Sequence, residues 1–219
     1  MLANGQGQVA LWDRHMRRLE RSAMALGYPV PLHSDILEAV RSACLSACST
    51  PRAPESVEPA SDAMLRVRLL LDHEGKVSVT ATPLGALAAN PKIIVSATAL
   101  DSSQPWLQHK TTHRPWYEKA TQWLGHHPDY FDVIFLNQAG ELCEGSRTNL
   151  YLKIDGQWLT PPIDCGVLPG VWREALLEQG QVREARLDAS VLTPTTPVRL
   201  SNGLRGWFDV VLDTTPAKL

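Results

Sequence analysis

Three groups of polar residues in the second half of the chain could do chemistry. Lys110 comes first in a polar run that ends at Arg114, Glu144 opens the polar run 144–149, and Pro169-Gly170 precedes an apparent helix start. A lysine amine, a carboxylate and the amides of a helix N-terminus are all groups that catalytic sites use. Each also has a simpler interpretation, because most lysines and turn glutamates are solvated and Pro-Gly commonly precedes a helix. Single residues therefore do not define a site here.

Other common site chemistries have no counterpart in the sequence. There is no glycine-rich phosphate loop, no G-x-S-x-G nucleophile turn and no metal-binding signature. Cys44 and Cys48 lie four residues apart on a predicted helix, and buried core positions are the better interpretation for them. His126-His127 precedes Pro128 and is predicted to be solvated. The sequence thus favours neither a hydrolase triad nor a zinc site, and no metal is expected.

The elements of the first half follow from hydrophobic spacing and turn residues. A 3.6-residue period predicts helices, and alternating or β-rich apolar runs predict strands. Asp13 is the predicted N-cap of the first helix and Gly27 its stop. The predicted elements are helices Leu11–Gly27 and Ser34–Cys48, a surface loop Ser49–Asp62, and strands Met64–Asp72, Lys76–Pro83 and Lys92–Ala97.

The second half begins after an aperiodic segment, Ala99–His109, that is predicted to link two halves. Asp155-Gly156 predicts the turn of a hairpin. The predicted helices are Pro115–Leu124 and Val171–Gln179, and the predicted strands are Tyr130–Leu136, Glu141–Cys143, Asn149–Ile154, Gln157–Thr160, Val198–Leu200 and Trp207–Leu212.

Composition is typical of a globular protein. The 219 residues include 44% hydrophobic and 20% charged residues, with a formal net charge of −2. This charge gives no reason to expect a nucleic-acid partner, and no apolar run approaches the ~20 residues of a membrane span. The first fifteen residues lack the basic-then-apolar order of a signal peptide. Four cysteines do not indicate a disulfide framework, so a cytoplasmic location is predicted.

Taken together, the polar groups resemble the central signature of class IV aminotransferases. That family has the order E-x-x-x-x-N-[LIV]-[FY], a short hairpin, T-P-P and L-P-G-x-x-R. The chain carries Glu144–Tyr151, Thr160-Pro161-Pro162 and Leu168–Arg173 in the same order. Upstream, His15–Ala23 is similar to the family's H-x-x-R-L-x-x-S-A helix. Lys110 lies 34 residues before Glu144 (144 − 110), where the family has its lysine.

The resemblance implies a pyridoxal 5′-phosphate (PLP) enzyme of fold type IV. Lys110 would be the Schiff-base lysine and would later move a proton, and Glu144 would pair with the pyridine nitrogen. Phosphate would be held by the Arg18 guanidinium, by the helix N-terminus and by a second turn. These last two groups are Gly170-Val171-Trp172 and Asn202-Gly203. Without the resemblance, Arg18 would be interpreted as a surface helix charge.

The implied fold is α+β, of the two-domain D-amino-acid aminotransferase type. A small N-terminal α/β sandwich is expected over residues 1–102, and a larger β-barrel-like domain with helices over residues 103–219. Family members usually begin with a strand that carries E-T-[MLI]; here Met1-Leu2 is similar to the end of that strand, which is therefore predicted to be shortened. The family also implies a homodimer.

Three features favour the 4-amino-4-deoxychorismate lyase branch, which releases p-aminobenzoate and pyruvate. His113-Arg114 is similar to the Asn-Arg that lyases carry after their lysine. Pro115 stands where branched-chain aminotransferases have a tyrosine, with Tyr117 nearby but out of register. The segment 202–207 resembles the N-[SA]-[LV]-R-G-W of lyase domains. A carboxylate substrate would need cations, and the candidates are Arg66, Arg68, Arg114 and Arg205; a solvated strand face is the alternative for Arg66 and Arg68.

Two alternatives remain open at this point. One is an aminotransferase of branched-chain or D-amino acids. The other is a degenerate fold-type IV protein without turnover, which the short N-terminus keeps possible.

Overall fold

The computed structural model describes residues 1–49 and 64–215, and its contacts divide the chain into two compact units, Met1–Ala86 and Leu87–Leu219. The predicted loop Ser49–Asp62 lies outside the described residues except for Ser49. No described helix is long and apolar enough to cross a membrane. Within the described ranges, no group of three or more histidine, cysteine or acidic side chains could hold a metal ion.

The N-terminal unit packs two helices on a three-stranded antiparallel sheet. The elements are β1 (Leu2–Ala3), α1 (Trp12–Ala25), α2 (His33–Ser49), β2 (Leu65–Leu71) and β3 (Val77–Pro83), and the sheet has the order β1-β2-β3. The prediction of Asp13 as the N-cap of the first helix is wrong. Helix α1 begins after Leu11, whose backbone is left-handed (φ 56°), and Asp13 lies in its first turn.

Alternation along β2 separates a buried face from an exposed one. Leu65 and Val67 lie in the core of the unit with Ile36 and Val40 of α2, because successive strand residues point to opposite faces. Arg66 and Arg68 consequently lie on the exposed face.

The C-terminal unit is built on a closed barrel. Its strands are β4 (Lys92–Val95), β5 (Tyr130–Leu136), β6 (Leu142–Gly145), β7 (Asn149–Ile154), β8 (Gln157–Thr160), β9 (Arg183–Glu184), β10 (Val198–Asn202) and β11 (Gly206–Leu212). Neighbouring strands pair in the order β10-β11-β4-β5-β6-β7, and β7 pairs again with β10, which closes the barrel. Strands β8 and β9 extend the sheet beyond β7. The helices are α3 (Glu118–His126) and α4 (Val171–Glu178), with short 3₁₀ turns at Pro105–Gln108 and Pro115–Tyr117. This mixed α/β architecture with a barrel confirms the predicted fold class.

Strand β4 belongs to the C-terminal unit, although the sequence places it in the first half. It pairs in parallel with both β5 and β11. Ile93 and Ile94 are buried in two different cores, so both faces of β4 are covered by this unit. Parallel pairing between strands far apart in sequence leaves no local signal, so the sequence does not show that β4 pairs with strands of the unit that begins at Leu87. The predicted domain boundary after residue 102 stays a prediction.

Two apolar cores take alternate residues of the same strands. Ile134 packs in one core with Leu142, Leu150 and Leu200, all fully buried. Val133 and Phe135 pack in the other, where Ala120 of α3 covers the strands. Leu107 and Tyr117, which lie before and after Lys110 in the sequence, are buried in this second core. The segment that carries the lysine is therefore anchored at both ends by apolar packing.

Candidate active site

A single pocket of the C-terminal unit contains the two residues on which the sequence argument depends. Lys110 and Glu144 both line it, together with Arg114 and the backbone segment at Leu168. The remaining lining residues are Trp106, Leu107, His109, Trp116 and Tyr117. An amine and a carboxylate separated by 34 positions (144 − 110) thus face one cavity.

Glu144 is a buried carboxylate with three hydrogen-bond donors. It is only 4% exposed. The Tyr117 hydroxyl donates to Oε1 at 2.9 Å, while the Asn149 amide and the Leu168 backbone N–H donate to Oε2 at 3.2 and 2.9 Å. Such charge-directed bonds compensate a carboxylate for the water it loses on burial.

Burial raises the pKa of Glu144 to about 7. The bonds from Leu168 and Tyr117 act in the opposite direction, as do the positive charges of Lys110 and Arg114. A carboxyl group whose pKa lies close to neutrality in a cavity is typical of functional sites.

The turn after Glu144 is organised by Asp132, a residue that the sequence did not single out. Asp132 is fully buried on β5. Its carboxylate accepts bonds from the Ser146 and Thr148 hydroxyls, both at 2.6 Å, and from the backbone N–H groups of Val133 at 2.8 Å and Arg147 at 3.2 Å. Because β6 ends at Gly145 and β7 begins at residue 149, this carboxylate fixes the turn between Glu144 and Asn149. Only a polar residue inside an apolar strand, YFDVIFL, could have indicated it.

Arg114 is held beside Glu144 by contacts inside the protein. Its guanidinium donates to the Ser146 carbonyl and lies 4.5 Å from the centre of the Tyr117 ring. A stacked arginine keeps donors on its edge while its face is covered. The prediction that Arg114 also binds substrate stays a prediction.

The beginning of α4 approaches Glu144 through Asn149. Asn149 donates both to Glu144 and to the Leu168 carbonyl, two residues before Gly170. Gly170 is the N-cap of α4 and, as a glycine, has no side chain that could cap the first amides of the helix. The role of Gly170-Val171-Trp172 toward a phosphate stays a prediction.

The second predicted phosphate turn lies next to α4. A Cβ built at Gly206 would come within 3.4 Å of the Trp172 ring, so the turn between β10 and β11 packs on the first turn of the helix. The Asn202 side chain accepts bonds from the backbone N–H groups of Leu204 and Arg205, at 3.0 and 2.8 Å. Its oxygen therefore shapes the turn, and the role of Asn202-Gly203 toward a phosphate stays a prediction.

The remaining predicted residues are not in this pocket. Arg205 lies in the β10–β11 turn. Arg18 is a partly buried residue of α1, and Arg66 and Arg68 lie on the exposed face of β2, all three in the N-terminal unit. Their proposed roles toward phosphate and substrate stay predictions.

Replacing Gly170 with alanine is expected to disturb the site without touching the pocket. A Cβ at this position would lie 1.9 Å from the Asn149 side-chain oxygen, so Asn149 must move and Glu144 loses a donor. We expect a loss of about 1–3 kcal/mol in the free energy of unfolding, measured by urea denaturation. Gly125→Ala is the matched control, because nothing lies within 4 Å of its Cβ and alanine is the better helix residue. Equal stabilities of the two variants would contradict the expected clash.

Comparison with known proteins gives a consistent family assignment. The family model "Amino-transferase class IV" matches residues 1–212. The "Putative aminodeoxychorismate lyase" of Schizosaccharomyces pombe is 29% identical over 181 residues, which cover 81% of this chain and 72% of that protein. Among solved structures, the "Putative amino-acid aminotransferase" of Mesorhizobium loti has a TM-score of 0.77 and 29% identity, covering 97% of this chain and 98% of its own. A "hypothetical aminotransferase" of Mycobacterium tuberculosis in its PLP-bound form shares the fold, with a TM-score of 0.76 and 21% identity over 99% of this chain and 82% of its own.

Proposed function

The chain belongs to the amino-transferase class IV family, and we propose that it is a PLP-dependent lyase that converts 4-amino-4-deoxychorismate to p-aminobenzoate and pyruvate. The observation that carries the proposal is the shared pocket of Lys110 and Glu144. Similarity to the S. pombe protein over 81% of this chain supports the lyase branch.

The residues around the pocket fit PLP. Lys110 supplies the amine that would bond to the cofactor's carbonyl carbon, and Glu144 supplies a buried carboxylate for the pyridine nitrogen. The uncapped N-terminus of α4 and the adjacent β10–β11 turn offer backbone N–H groups to a phosphate. Arg18 is proposed as a further phosphate ligand. When bound, PLP withdraws electrons from the substrate carbon that carries the amino group.

The protein's own groups then account for the proton transfers. The Lys110 amine takes the proton from the ring carbon that bears the substrate's amino group. The bond between the neighbouring ring carbon and its ether oxygen breaks, and the three-carbon unit leaves with that oxygen as enolpyruvate. A proton on its carbon turns enolpyruvate into pyruvate, and the ring, which has lost one proton and this group, becomes aromatic. Glu144 would keep the pyridine nitrogen protonated, and the arginines proposed to bind the substrate carboxylates, among them Arg114 and Arg205, would orient the substrate.

A product assay tests this function. The purified protein, supplied with PLP, is incubated with 4-amino-4-deoxychorismate, and p-aminobenzoate and pyruvate are measured; we expect the two in equal amounts. In parallel, branched-chain and D-amino acids are offered with 2-oxoglutarate, to test the alternative function of an aminotransferase. Amino transfer without p-aminobenzoate would replace the lyase by an aminotransferase. Neither product, with PLP bound, would contradict both enzyme functions.

Assembly and location are further proposals. The family resemblance predicts a homodimer, which sedimentation of the purified protein would test. A cytoplasmic location is proposed from the sequence composition and is testable by cell fractionation.

A further inference from the structure

Tyr117 contacts the candidate catalytic carboxylate directly, although the sequence motifs assign it no role. It ends the 3₁₀ turn Pro115–Tyr117, seven residues after Lys110 (117 − 110), and is 3% exposed. Its hydroxyl donates to Glu144 Oε1 at 2.9 Å. The pocket that contains Lys110 is lined by both residues.

The position of the Tyr117 ring is fixed from two sides. The Arg114 guanidinium covers one side at 4.5 Å from the ring centre. The Phe135 ring packs edge-to-face at 5.1 Å, with an interplanar angle of 75°, in the geometry that aromatic pairs prefer. Because the ring is held in this way, the hydroxyl oxygen has a fixed position, and its bond holds Glu144 Oε1 in place.

Three donors divide unequally between the two oxygens of Glu144. An ionised carboxylate has about four lone-pair positions, two on each oxygen. Asn149 and Leu168 donate to Oε2, and Tyr117 donates to Oε1. The Tyr117 bond takes only one of the two acceptor positions of Oε1.

We propose that Tyr117 is a positioning residue that orients Glu144 through Oε1, so that the carboxylate is held in place to receive the pyridine N–H of PLP. The inference rests on the proposed function, because it concerns the same carboxylate and the same cofactor. It goes further in assigning the orientation of Glu144 to a residue outside the family motifs.

The electrostatics of the site agree with this geometry. Burial raises the pKa of Glu144 to about 7, and the Tyr117 bond is among the effects that lower it. Burial and the adjacent Glu144 raise the pKa of Tyr117 far above its usual value, so its hydroxyl keeps its proton. The other titratable groups that act on the pair are Lys110, Arg114 and the buried thiol of Cys143. Near pH 7, the loss of one donor is enough to move Glu144 toward its protonated form, which has one lone pair fewer for the cofactor.

The test is Tyr117→Phe, which keeps the ring and removes the hydroxyl. In the cofactor-free protein with ¹³C-labelled glutamate carboxyls, the Glu144 resonance is identified by its loss in Glu144→Gln. We expect Tyr117→Phe to raise the pKa of Glu144 by about one pH unit, the effect of one hydrogen bond to a charged group. With PLP, we expect kcat to fall about tenfold or more with a smaller change in KM, and more strongly at lower pH.

A second measurement reverses the direction of the shift. Incorporation of 3-fluorotyrosine makes the phenol a stronger donor and should lower the pKa of Glu144. Tyr130→Phe is the control, because it removes a comparable tyrosine–carboxylate bond, to Asp213 at 2.6 Å, outside the pocket. It should leave the Glu144 titration unchanged.

The outcomes separate the two proposals. PLP binding by the wild-type protein, with the same Glu144 titration in Tyr117→Phe and fluorotyrosine protein, would overturn this inference alone. A wild-type protein that does not bind PLP would overturn the proposed function and this inference with it. Expected shifts in both directions, together with the kcat loss, support Tyr117 as a positioning residue; a kcat loss without the pKa shift would assign it a merely structural role.

Discussion

Lys110→Ala should reduce turnover by about 10⁴-fold or more, because in the proposed reaction one amine both bonds the cofactor and moves the substrate proton. The wild-type protein with PLP should show a visible absorbance band, and borohydride should remove it and fix the cofactor to Lys110. In Lys110→Ala neither the band nor the covalent attachment should form. The measurements are the absorbance spectrum, the mass of the borohydride-treated protein and the rate of p-aminobenzoate release.

The control for this variant is Lys119→Ala. Lys119 is an exposed residue of α3, nine positions along the chain (119 − 110), and does not line the pocket. Its substitution should leave the spectrum and the rate unchanged. A borohydride-fixed cofactor in Lys110→Ala would show that another amine holds PLP and would contradict the assignment. Loss of the band in the control as well would point to a general effect of removing a lysine.

Among the stability variants predicted for this protein, Asp132→Ala should lower the free energy of unfolding the most. The substitution removes the buried acceptor of four donors, one on β5 and three in the turn between β6 and β7. A buried donor without an acceptor lowers the stability of the folded state. We expect the free energy of unfolding to fall by about 3 kcal/mol or more, measured by urea denaturation of the cofactor-free protein. Because the same turn separates Glu144 from Asn149, we also expect weaker retention of PLP on dialysis.

Asp209→Ala provides the comparison for Asp132→Ala. Asp209 also accepts a charged hydrogen bond, from Arg199 at 2.7 Å, but its side chain is 77% exposed. Exposed ion pairs contribute about 0–1 kcal/mol, so this variant should remain close to the wild type. If the free energy of unfolding falls by the same small amount in both variants, Asp132 does not organise the turn between β6 and β7.

The order of motifs in the sequence is sufficient to identify the family and to predict the pair Lys110 and Glu144, which line one pocket. These residues occur in runs whose spacing is set by local structure, a lysine before a turn, a glutamate at a strand end and Pro-Gly before a helix. The strongly apolar strands and their turns were also predictable, because β5, β7 and β8 have the bounds that the sequence indicates. The sequence predicts that the return strand ends at Cys143, and this end is wrong. Strand β6 reaches Gly145 and therefore contains Glu144.

For Gly170, the sequence explains only one of the two reasons why a glycine stands at this position. In the sequence it is the glycine of a helix start, and in the structure it is also the only residue type that leaves room for Asn149. That second requirement places α4 against Asn149, twenty-one positions away (170 − 149), and Asn149 in turn donates to the Glu144 carboxylate. It depends on a close approach that no local pattern records.

By itself, the sequence determined the family and the fold class and predicted the lysine and the carboxylate, because all of these are encoded in types and spacings of residues along the chain. Only the tertiary structure decided that Tyr117 and Asn149 hold Glu144, that Asp132 holds the turn beside it, and that β4 belongs to the barrel. The physical reason is barrel closure. Strand pairing brings together side chains from distant segments, and burial then makes each hydrogen bond to a carboxylate matter far more than it would in water.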